Sequence, residues 1–142
     1  MGLRLPVGGV TVLLGPAAAR AETMAALDPG SARCAGGHAS LAVTRLTATP
    51  GNGVQQCLDA VEGARTGPAS VVLVDHLTDG LTADDRRTVL AALRPVATAG
   101  RAVLVDDGDP VAALSVSDTV LRTPALALEP VSGVDELEQL VA

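Results

Sequence analysis

The chain contains no phenylalanine, tyrosine or tryptophan. Its core must therefore be assembled from alanine, valine and leucine, and no base or adenine ring can stack on an aromatic side chain. Lysine is missing too, since all ten basic residues are arginines. Every mechanism that needs an ammonium group, phosphate capture by lysine included, is thereby excluded. Cysteine is scarce: Cys34 and Cys57 have neither C-x-x-C spacing nor a nearby histidine pair that would make a zinc site. Both read as small buried or half-buried hydrophobes. No run approaches the ~20 uninterrupted apolar residues of a membrane span, and the opening MGLRLPVGG lacks the apolar core and cleavage site of a signal peptide. The expected location is cytoplasmic. A formal net charge of −6 disfavours nucleic acid and anionic membrane as partners.

What is present is 142 residues with 48% hydrophobic content, which predicts one globular domain over 1–142. Leu3 to Val7 alternates weakly, Gly8-Gly9 turns, and Val10 to Leu14 reads as a buried strand. Gly15-Pro16 ends it, and from Ala17 the run AAARAETMAAL predicts a helix that stops at Asp28-Pro29-Gly30. Leu41 to Leu46 alternates and carries Arg45, which predicts a strand near an edge. A helix through Arg65 follows the loop TATPGNGV, and Thr66-Gly67-Pro68 breaks the chain. Val71 to Val74 is too short and too apolar for a helix and predicts a strand buried on both faces, ending on Asp75.

Beyond it Thr82 reads as the N-cap of a single helix closed by Gly100, with Val89, Leu90, Leu93 and Val96 at helical spacing. Ala102 to Val105 predicts a fourth strand, and Asp109-Pro110 a helix start with proline in its first turn. Val120 to Thr123 and Ala125 to Glu129 predict closing edge strands, and VSGVDELEQLVA a terminal helix. The expected fold is α/β, three-layered, with a mostly parallel sheet and right-handed crossovers.

In such a sheet ligands bind outside the carboxyl ends of the strands, where Asp75 meets Asp106, Asp107 and Asp109. Like charges this close raise one another's pKa or recruit a hard cation such as Mg²⁺ or Ca²⁺, with Asp75 as the leading metal ligand. The plain alternative is that Asp109 caps a helix and the other carboxylates are solvated. His76, beside Asp75, is a candidate base whose plain reading is a polar surface residue; His38, in a glycine-rich loop, has no partner in sequence.

The run VVLVDHLTDGLT, Val71 to Thr82, resembles the Walker B and D-loop segment of ATP-binding cassette (ABC) transporter ATPases. His76 stands at the family's catalytic glutamate, Leu77 at its proline and Thr82 at its D-loop aspartate. GPAAARAET lies over the family's P-loop G-P-x-G-x-G-K-S-T, keeping Gly15, Pro16 and Thr23. Ala18 and Arg20 replace glycines, Ala21 the lysine, and Glu22 the magnesium-binding hydroxyl. GNGVQQ, Gly51 to Gln56, falls where the signature motif would lie, and Gly108 where the switch histidine would. The helical subdomain of the family is largely missing, and apolar surface near Leu41 to Val54 is expected to lie partly open as a result. VLVDDGDP also looks like the start of a receiver domain, which the short remainder of the chain and the missing lysine exclude.

The resemblance implies a pared-down, degenerate P-loop NTPase or ABC nucleotide-binding domain. As cofactor-binding residues it implies Gly15, Pro16, Arg20 and Thr23, and as a magnesium ligand Asp75. No catalytic residue is expected, and ATP with Mg²⁺ binds weakly at most. Glu22 is expected to set a negative charge at the helix N-terminus, against incoming phosphate. The implied function is that of a pseudo-ATPase, a structural or regulatory partner of another ATPase or membrane complex. The alternative is a residual ATP-binding, ATP-hydrolysing transporter subunit. The implied partners are a second copy or another protein, including a membrane permease-like subunit that would bring the domain to the membrane.

Overall fold

A computed structural model of the chain describes residues 5–27, 41–124 and 127–131. In chain order they form β1 (Val10–Leu14), α1 (Ala17–Ala26), β2 (Val43–Thr47), α2 (Val54–Thr66), β3 (Val71–Asp75) and α3 (Ala83–Ala91). Then come α4 (Leu93–Thr98), β4 (Ala102–Asp106), α5 (Pro110–Leu114), β5 (Thr119–Arg122) and β6 (Ala127–Pro130). One six-stranded sheet runs β2-β3-β4-β1-β5-β6, parallel except for the last pair. Cys34, His38, Leu3 and the terminal helix of VSGVDELEQLVA beyond Val131 lie outside the described residues.

Strand alternation sorts the apolar side chains by type. Val72, Val74, Val103, Val105, Val10 and Val12 join α2, α3, α4 and α5 in one core, while Leu73, Leu104, Leu13 and Leu121 join Met24 of α1 in another. Since successive strand residues point to opposite faces, α1 lies on one side of the sheet and the other helices on the opposite side. The result is the expected three-layer arrangement.

Several elements differ from the sequence reading. Residues 5–7 form no strand; Gly8, at φ 88°, turns the chain into β1. The helix expected from Thr82 to Gly100 is two. Pro95 lacks the N–H that would reach the Ala91 carbonyl and its ring crowds that turn, so the helix breaks at Ala92. Thr82 does cap α3, its hydroxyl accepting from the Asp85 N–H at 3.2 Å. β5 is an interior strand, because β1 pairs with it in parallel on the side away from β4; only β6 closes the edge. Glu22 sits in the second turn of α1, too far along to set the charge of its N-terminus. Over residues 41–54 the larger apolar side chains are half-buried, Leu46 and Val54 against one core and Val43 against the other.

Candidate functional site

β1 delivers the chain to α1 on one face, while its neighbour β4 delivers it to α5 on the other. Two adjacent strands whose carboxyl ends diverge in this way leave a crevice between them, the place where open α/β sheets receive ligands. Its walls are the turn at Gly15 and Pro16 on one side and Asp106 with Asp107 on the other. Gly15 is required there. Its φ is +128°, and a Cβ would stand 2.2 Å from Thr123 Oγ1 and 2.6 Å from the Thr123 carbonyl oxygen. Pro16 precedes α1 as its N-cap without a capping side chain.

Arg20 fills this crevice. It is buried, and its guanidinium donates from Nε to the Gly15 carbonyl at 3.1 Å, and from Nη1 to Asp106 Oδ1 at 2.5 Å and the Asp107 carbonyl at 3.1 Å. One side chain thus fastens the β1–α1 turn to the end of β4. Thr23, expected from the sequence to bind cofactor, donates its hydroxyl to the Ala19 carbonyl at 2.9 Å within its own helix.

The acidic residues expected to cluster are brought together in part. Asp75 and Asp106 are in register on adjacent parallel strands, with His76 next to them. One donor atom from each of the three lies within 4.8 Å of the others. Asp107 turns away, accepting from the Thr78 hydroxyl at 2.6 Å and from the Asp109 N–H at 2.8 Å. Asp109 caps α5 through the Ala112 N–H at 3.2 Å, in line with its plain reading.

Each of these carboxylates has an arginine. Arg20 serves Asp106, Arg45 reaches Asp75 at 3.0 Å, and Arg86 lies 3.6 Å from Asp107 and 3.8 Å from Asp109. Two carboxylates set side by side on neighbouring strands repel, and guanidinium groups offset that repulsion where a metal ion otherwise would. The residues present therefore do not fit Mg²⁺ with a nucleotide. A divalent cation at Asp75 and Asp106 would face two guanidinium groups already in place, and phosphate oxygens would meet Arg20 where they need open backbone N–H groups.

His76 adopts a left-handed backbone, φ 55°, after its N–H extends the sheet by donating to the Asp106 carbonyl at 2.9 Å. Its ring Nε2 is 3.2 Å from Asp106 Oδ2 and Nδ1 3.4 Å from Asp79 Oδ1. The residues that sequence reasoning missed are Arg45 and Arg86. In the sequence Arg45 marks only an edge strand, yet its register with Leu73 places it on the face of Asp75, two positions short of it. Parallel pairing of β2 with β3 is the signal that finds it. Away from the crevice, on α2, the Glu62 carboxyl is held below its ordinary value by a hydrogen bond from Arg65. Compared with models of known families and with characterised proteins, the chain matches none.

Proposed function

We propose that the chain is a degenerate relative of ABC transporter ATPase subunits, a pseudo-ATPase in which an internal ion pair has taken the place of nucleotide. It serves as a structural or regulatory partner of another ATPase or membrane complex. The observation that carries this reading is Arg20, lodged between Gly15, Asp106 and Asp107 in the crevice between β1 and β4. Supporting it, the position of the phosphate-binding lysine is Ala21 and that of the catalytic carboxylate is His76, whose ring lies against Asp106. An imidazole so engaged has no free carboxylate's capacity to polarise an attacking water.

Calorimetric titration of the purified protein with ATP and Mg²⁺ tests the reading. The expected result is no heat of binding up to millimolar nucleotide. Micromolar affinity would favour the other reading, a residual ATP-hydrolysing subunit.

A further inference from the structure

We infer that α1 is a strap, fastened to the sheet by arginines at both ends, which lifts away as a unit ahead of the rest of the domain. Among the described residues α1 buries two side chains, Arg20 and Met24, and Met24 is its single fully buried apolar one. Among the described residues the core on that face contains Leu13, Met24, Leu73, Leu104 and Leu121, while the opposite core contains seventeen buried residues, drawn from four helices, the strands and the turn after β3. Thr11, in register with Leu104 on the α1 face, also buries a hydroxyl with no partner among the described residues. Apolar packing thus holds α1 weakly.

Polar fasteners supply the rest. Near the N-terminal end Arg20 ties the helix to Asp106. At the other end Arg45 of β2 donates to the Met24 carbonyl at 2.9 Å and to the Leu27 carbonyl, while its second nitrogen pairs with Asp75. The carbonyls that a helix terminus leaves free are satisfied here by a side chain from the sheet. An element of few buried contacts, held by hydrogen bonds, opens locally before the core does. When α1 lifts, it uncovers the side of the sheet lined by Leu13, Leu73, Leu104 and Leu121.

Native-state hydrogen exchange on the whole chain tests this. In the wild type, the amides of residues 21–26 should exchange at least about tenfold faster than those of β3, β4 and α2. Arg45→Met removes one fastener at a half-exposed position, so the domain stays folded. It should speed exchange in α1 by roughly a further tenfold and leave β3 and β4 unchanged, with Asp75→Asn giving a smaller change of the same pattern. If wild-type α1 is as protected as β4, or if Arg45→Met speeds exchange evenly along the chain, the strap does not exist.

Discussion

Arg20 and Asp106 stand 11% and 1% exposed at the side chain, whereas Arg45 and Asp75 stand 31% and 29% exposed. That difference in burial separates what each pair contributes. Removing Arg20 leaves the buried Asp106 carboxylate with the His76 ring as its remaining side-chain partner, so Arg20→Met should destabilise the domain by about 3 kcal/mol in urea unfolding. The double variant Arg20→Met, Asp106→Leu should recover most of that loss, because replacing a whole buried pair with apolar groups is close to neutral. A double variant no more stable than the single one would show that the pair is not the crevice's organising contact. Asp75→Asn, by contrast, breaks a half-exposed pair and should cost about 0–1 kcal/mol. Gly15→Ala tests the other wall: the left-handed backbone alone adds about 1–3 kcal/mol, before the collision with Thr123. A melting temperature unchanged by Gly15→Ala would mean that the turn is not held against Thr123.

At the scale of elements, the valine and leucine runs of β1, β3 and β4 were legible because a strand buried on both faces needs no alternation of polarity to declare itself. The break between α3 and α4 was legible in principle at Pro95, but the apolar spacing of Val89, Leu90, Leu93 and Val96 continues across it and masks the change of axis. The sequence presents β5 as an edge and the sheet places it inside, because periodicity reports burial and says nothing about which strand lies beside which. Leu90 is fully buried on α3 among aliphatic neighbours, with no aromatic ring near to settle into a space. Leu90→Ala should therefore cost about 2–5 kcal/mol, read as a lower urea midpoint at constant slope. A loss below that range would mean that the α3 side of the core relaxes to fill the gap.

For the whole molecule, the acidic strand ends and the glycine-proline turn were visible in the sequence, and so was their convergence at one end of the sheet. Their neutralisation was not. Arg20, Arg45 and Arg86 lie 86, 30 and 21 positions from Asp106, Asp75 and Asp107, a separation that only the parallel strand order closes. A chain whose ten basic residues are all arginine suits this arrangement, since each guanidinium offers several fixed donors and stays charged when buried. The crevice that a doubly wound sheet opens between β1 and β4 is thereby filled from within. The most direct measurement follows the backbone amide signals of Gly15, of residues 17–21 and of residues 106–108 by NMR during titration with ATP and Mg²⁺. The account predicts that they do not move up to millimolar nucleotide. Saturable shifts confined to those amides, at micromolar ATP, would contradict it.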